Sequence, residues 1–269
     1  MSIPIPRELD VDLTAVPRHW MANNAVATAI TNGINLLFPH GERFFVRSVH
    51  HYLDQLEDPE LRKQVKAFFQ QEGHHAKAHD DLNARMRAQG FAIDGFLRRY
   101  KAVMAFLEPR TPAKINLAAT AAAEHFTAIL AHGAFKGPML DYADPAMRQL
   151  LAWHAAEEIE HKAVAFDVLE AIDPSYAVRM IGLAYATVML SAFWFAGSTM
   201  LLRQERLPLR EIRRLMRLMR ERDPLIRRVF VAGIKQYIRR DFHPRDTADE
   251  TLAAEWFAAR GLAFTSEAA

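Results

Sequence analysis

Two stretches of this 269-residue chain carry the same side chains in the same register. Asp58-Pro59-Glu60-Leu61-Arg62 leads to Glu72-Gly73-His74-His75. Asp144-Pro145-Ala146-Met147-Arg148 leads to Glu158-Ile159-Glu160-His161. In both, the Glu stands fourteen residues after the Asp, and a His follows three residues later. A helix places positions i and i+3 on nearly one face, so each Glu-x-x-His can offer a carboxylate and an imidazole to one ion. A lone Glu-x-x-His is a weak signal. Two, spaced alike from alike helix starts, point to a pair of ions.

Such a pair needs further carboxylates from neighbouring helices. Glu42 lies fifteen residues before Glu57, and Glu72 lies fourteen after Asp58. Two helices folding back at this turn would bring Glu42 and Glu72 to one height. Glu124 is the counterpart in the second half. It is a single acid in the apolar run Ile115–Leu130, where burial without a partner would be costly. Glu42 and Glu124 are each followed two residues on by a phenylalanine, Phe44 and Phe126. The expected metal ligands are therefore Glu42, Glu72, His75, Glu124, Glu158 and His161. His79 follows His75 by four residues and His154 precedes Glu158 by four. On antiparallel helices both fall on one side of the site, where they would line a pocket, add a ligand or relay a proton. His74 and His125 sit one residue off the ligand positions and point elsewhere. Glu157 and Glu160 are also off register and are expected to support the ligands or face solvent. Gly73 costs a helix about 1 kcal/mol against alanine, which close helix packing would explain.

The elements that must hold these residues are helices. Glycine is sparse, and apolar residues recur at helical spacing almost throughout. The pattern predicts an extended lead-in over 1–17 and a helix over 18–57 kinked at Pro39. Further helices are predicted over 59–89, 94–108, 112–135 and 145–172. Asp58-Pro59 and Asp144-Pro145 are helix starts, with Asp as cap and Pro at the first helical position. Residues 180–202 form 23 uncharged positions, followed by amphipathic helices over 209–222 and 224–240 and a short one over 250–260. The expected organisation is a dimetal bundle over 18–175, an apolar helix with basic helices over 176–245, and a tail over 246–269.

The order Glu42, Glu72-x-x-His75, Glu124, Glu158-x-x-His161 resembles the ferritin-like di-iron carboxylate superfamily. More narrowly, the chain resembles a bacterial family described as predicted metal-dependent hydrolases. The shared segments are Gly41 to Phe45, Gln71 to His75, Ala122 to His125 and Glu157 to Lys162. The resemblance implies an all-α, ferritin-like four-helix bundle with additional C-terminal helices.

Composition narrows the chemistry. There is no cysteine, so thiolate ligands, thiol nucleophiles and disulfides are excluded, and His with carboxylates remain as strong ligands. The start of the chain has no apolar leader, so a cytoplasmic location is expected, with the membrane surface as a second option. Net charge is +2, yet residues 203–245 carry 14 Lys/Arg against 5 Asp/Glu. With the apolar stretch before it, this basic region suggests burial on the bundle, a homodimer interface, or peripheral contact with anionic lipid through 180–240. Nucleic acid is not expected, since no groove-reading motif accompanies the arginines. Four carboxylates and two imidazoles suit two iron ions, with Mn/Fe or Zn as alternatives. The leading expectation is an enzyme that activates O₂ to oxidise a small apolar or lipid-like substrate, held near Phe44, Phe45, Phe68, Phe69 and Phe126. The alternative is a metal-dependent hydrolase, and the third a metal-storage protein.

Overall fold

A computed structural model describes residues 3–222 and 225–264. The expected helix start at Pro224, the first two residues of the lead-in and the last five of the tail lie outside the described residues. Among the described residues eleven α-helices follow in order: α1 Ala25–Asn35, α2 Phe38–His50, α3 Pro59–Ala88, α4 Asp94–Leu107, α5 Ala113–Lys136, α6 Pro145–His161, α7 Val164–Ile172, α8 Tyr176–Gln204, α9 Leu209–Arg222, α10 Leu225–Tyr237 and α11 Glu250–Ala258. The chain is all-α. Among the described residues the extended pairing is limited to isolated bridges such as Met21 with Ala143.

Four helices form the centre. α2 packs on α3 and α5, and α6 packs on α5 and α3, which closes a ring. Their inner faces are apolar and close-packed, with Val65, Phe68, Leu117, Ala118, Ala122 and Phe126 fully or almost fully buried.

Two expected helices are divided. The predicted helix over 18–57 begins only at Ala25, because Met21 bridges Ala143 and the backbone turns through left-handed Ala22 and Asn23. Asn24 then caps α1, its side chain accepting from the amides of Val26 and Ala27. At Pro39 the chain does more than kink. The ring takes an early position in a new helix, α2, after Leu36 and Leu37. The predicted helix over 145–172 breaks after His161. The Lys162 ammonium there turns to Asp249 Oδ1 at 2.5 Å and the Thr247 carbonyl at 2.7 Å. Lys162 and Asp249 are both buried, so this pair ties the segment before α11 to the end of α6.

α8 is long and apolar enough to cross a membrane by length and composition. One face of it lies on α1 and α5. Small residues set that approach. A Cβ on Gly33 would fall 2.1 Å from Ser198 Oγ, and one on Gly182 would fall 2.4 Å from the Ala118 carbonyl carbon. The opposite face leaves Ile181, Val188 and Phe195 exposed. Burial of the 180–202 stretch therefore holds for one face only. Gly73, by contrast, is exposed with nothing within 4 Å of an added Cβ, so close packing does not account for it.

These two glycines should respond oppositely to alanine. Gly182→Ala should lose about 1–3 kcal/mol by overpacking, and Gly73→Ala should gain up to about 1 kcal/mol of helix propensity. Thermal unfolding of the two variants checks this. Equal shifts would remove the packing account of α8.

Candidate metal centre

The two repeated stretches fold alike because their local bonds are alike. Asp58 Oδ1 accepts from the Glu60 amide at 2.8 Å, and Asp144 Oδ1 accepts from the Ala146 amide at 3.0 Å. Arg62 reaches back to the carbonyls of Leu56 and Asp54, and Arg148 to those of Leu140 and Asp141. Each Arg satisfies the turn entering its helix, which fixes the helix start and hence the height of the Glu-x-x-His fourteen residues on.

Glu42 from α2, Glu72 and His75 from α3, Glu124 from α5, and Glu158 and His161 from α6 come together, each no more than 4% exposed. His75 Nδ1 lies 3.2 Å from Glu72 Oε1 and 3.7 Å from Glu158 Oε1. His161 Nε2 lies 3.4 Å from Glu72 Oε1, 3.3 Å from Glu124 Oε2 and 3.7 Å from Glu158 Oε2. Four overlapping groups of ligand atoms lie within 4.8 Å of one another: Glu42, Glu72 and His75; Glu72, Glu124 and His161; His75, His154 and Glu158; and Glu42, His79 and His154. Glu72 belongs to the first two, as a carboxylate shared by two ions would.

The far sides of the imidazoles assign their tautomers. His75 donates from Nε2 to Glu157 Oε2 at 3.0 Å, which leaves the Nδ1 lone pair facing the carboxylates. His161 donates from Nδ1 to Gln71 Oε1 at 2.8 Å, which leaves Nε2 facing inward. Support of this kind orients metal-ligating histidines. His154 Nε2 lies 2.8 Å from Glu158 Oε1 and 3.8 Å from Glu42 Oε1. Its Nδ1 lies 2.7 Å from His79 Nε2. Phe38 covers both of these rings, at 4.5 Å from His79 and 4.9 Å from His154.

Electrostatics show what the cluster lacks. Burial, then Glu158 and Glu124, push the Glu42 carboxyl far above the usual range. Glu72 is pushed up likewise by burial and Glu124. Burial and Glu158 lift Glu124 to about 7. Burial opposes the charge on Glu158 as well, yet His161 and His154 hold it well below the usual range. His161 is raised in turn, despite its burial, by Glu158 and Glu124. Burial, and then His154, hold His75 and His79 well below the ordinary imidazole value. Without cations, protons must neutralise this cluster. Both carboxyl oxygens of Glu42 and of Glu124, one each of Glu72 and Glu158, and His161 Nε2 are buried without a hydrogen-bond partner. Buried polar atoms rarely stay unsatisfied. Seven converging orphans of ligand type fit metal ions.

One family model, described as predicted metal-dependent hydrolase, matches residues 5–248. The chain belongs to that family. No curated protein and no solved structure gives a significant match. Metal dependence thus has two supports, the family and the His/Glu clusters.

Several residues of this family member's centre lay outside the motif reading. Arg7, in the lead-in, donates to Glu157 Oε1 at 3.2 Å and to both oxygens of Glu160, at 2.8 and 3.0 Å. Its guanidinium also lies 3.7 Å over the Phe257 ring. Gln71 donates to Glu160 Oε2 at 2.7 Å while accepting from His161, so it links the two. Glu157 and Glu160 are therefore not solvated. Both are fully buried, and Glu157 holds His75 directly. Their acids within an otherwise apolar helix were the available signal that a cation had to reach them. His125 donates from Nε2 to the Gly233 carbonyl, and His74 bonds the Arg7 carbonyl, so neither enters the cluster.

An apolar cavity of about 180 Å³ reaches His154 and Glu158 from between α1 and α5. Phe44, Phe45 and Phe126 line a second cavity of about 90 Å³. Phe68 instead packs edge-on to His161, and Phe69 lies beside His50.

Metal removal should make stability pH-sensitive. Above about pH 6.5 the lowered histidines and Glu158 no longer change charge on unfolding. The raised carboxyls, such as Glu124 near 7, keep protons that the unfolded chain has released. The unfolded state then binds fewer protons, so stability falls as pH rises. The metal-free melting temperature should drop between pH 6.5 and 8, and the metal-loaded one should stay nearly flat. A flat or rising metal-free curve would contradict this. Arg7→Met should cost about 3–5 kcal/mol by removing the cation from two buried acids, read from denaturant unfolding.

Proposed function

We propose that this chain is a hydrolase working with two divalent ions held by Glu42, Glu72, His75, Glu124, Glu158 and His161. The four central helices would then be a ferritin-like bundle. The observation that carries the reading is the convergence of orphaned carboxylate oxygens with two imidazoles whose free nitrogens face them. When bound, such ions polarise a substrate carbonyl or phosphoryl oxygen and lower the pKa of a water.

The chain's own groups handle the proton and the substrate. His154 lines the 180 Å³ cavity, with Nε2 facing the carboxylates. His154 Nε2 here bonds Glu158 Oε1 at 2.8 Å. With that oxygen given over to an ion and the Nδ1 proton turned to His79 Nε2, Nε2 would be released to accept the proton of an attacking water. His79 Nδ1 has no hydrogen-bond partner and can take up charge redistribution along this chain. Burial keeps His79 neutral, which suits an acceptor. The apolar walls exclude bulk water from around His154 and strengthen these interactions.

Four carboxylates and two imidazoles alone favoured oxygen activation. Family membership moves the balance to hydrolysis, which the same ligands serve. A storage role leaves the cavity beside His154 without a purpose.

The metal-loaded protein should cleave p-nitrophenyl acyl esters. Chelation should lower kcat/KM by at least about 100-fold, and re-addition of metal should restore it. His154→Gln should retain metal while kcat falls about 10²–10⁴-fold. Absent ester cleavage, with oxygen consumed by the Fe(II)-loaded protein, would return the oxidase reading in place of this one.

A further inference from the structure

The 180 Å³ cavity is walled mostly by apolar side chains such as Ile30 and Ala131, with Asn24, Thr31, Asn35 and Thr127 among them. The imidazole and the carboxylate in its wall are those of His154 and Glu158. Beyond them it reaches Trp194, whose indole nitrogen is occupied by the Ile30 carbonyl at 2.7 Å and presents only its ring. The cavity comes to the surface beside Tyr142, which is 37% exposed. The second cavity shares four wall residues with the first: Ile34, Phe38, Thr127 and Leu130. The two chambers thus lie on opposite sides of one thin partition. Phe38 is the part of that partition that also touches the histidine pair.

We infer that the first chamber holds the linear aliphatic chain of an acyl substrate, and that the partition of Phe38 and Leu130 limits its length by closing off the second chamber. This rests on the hydrolase reading for its reaction, though not for its binding. The shape decides the class. An apolar space of about 150 Å³ holds a six-carbon ring. The first chamber, at about 180 Å³, then takes a chain of roughly seven carbons. Adding the second, at about 90 Å³, lengthens it by roughly four. Two narrow lobes meeting at a side chain suit a flexible chain better than a rigid ring system. The one imidazole–carboxylate pair in its wall, His154 and Glu158, fits a substrate with one reacting polar group. The scissile carbonyl would lie at His154 and Glu158, with the tail running between α1 and α5.

Binding can be read apart from catalysis. The probes are linear 1-alkanols of four to twelve carbons, titrated into the metal-loaded full chain by calorimetry. Affinity should rise about four-fold per added methylene and level off near seven carbons. Phe38→Ala should move that plateau outward by roughly four carbons. Leu130→Ala opens the same partition without touching the histidines, and should move it in the same direction if Phe38→Ala does not fold. A plateau unmoved by the folded variants, no chain-length dependence, or equal affinity for cyclohexylmethanol and 1-heptanol would overturn the proposal. Chain-length-dependent binding without ester cleavage would keep this site and sink the hydrolase reading. Cleavage without chain-length dependence would do the reverse.

Discussion

Four carboxylates meet in a space almost closed to water, and the rest of the structure answers to that. Each acid alone would be costly to bury, and together they repel. In the metal-free chain only Glu158 is held firmly ionised, by His161 and His154, while burial drives Glu42, Glu72 and Glu124 toward their neutral forms. Such an arrangement persists only where something else is gained. Four helices are needed because no single helix face can present six converging donors. The apolar packing around them supplies the rigidity that keeps orphaned oxygens aimed inward rather than rotated out to solvent.

Support for the cluster runs outward through side chains as specific as the cluster itself. Glu157 fixes His75 and Gln71 fixes His161, and each of these is reached from Arg7, directly or through Glu160. The lead-in is thereby part of the centre, although it is far from it in the chain. On the other flank His154 and His79 connect the carboxylates to the apolar cavity under Phe38. One side of the centre is thus charged and braced, and the other is apolar and open to a ligand. α8 closes the apolar side through small residues facing α1 and α5, and presents Ile181, Val188 and Phe195 outward.

Much of this was legible in the residues. The Glu-x-x-His spacing repeated after Asp-Pro placed four of the six clustered side chains, because helix periodicity and helix starts are local properties. Glu124 was legible as a charge in apolar surroundings, and Glu42 by its height opposite Glu72. The break at Leu36 and Leu37 was legible only as a kink, since a proline marks where a ladder is weakened but not how far the helices then separate. The start at Ala25 was hidden, because it depends on Met21 pairing with Ala143, more than a hundred residues away. Gly73 was misread: its helix face is exposed, and a pattern of residue types does not say what stands opposite a glycine.

The sequence by itself determined the all-helical class, the positions of the ligand-type residues along each helix, and the absence of thiol chemistry. Those follow from residue type and from spacing along one chain segment. Tertiary structure alone decided that Glu72 is shared between two groups, that Arg7 braces the centre, and that Phe38 divides two cavities. Each of these is a distance between segments remote in sequence. It is set by how helices pack, and packing depends on the shapes of all their side chains at once.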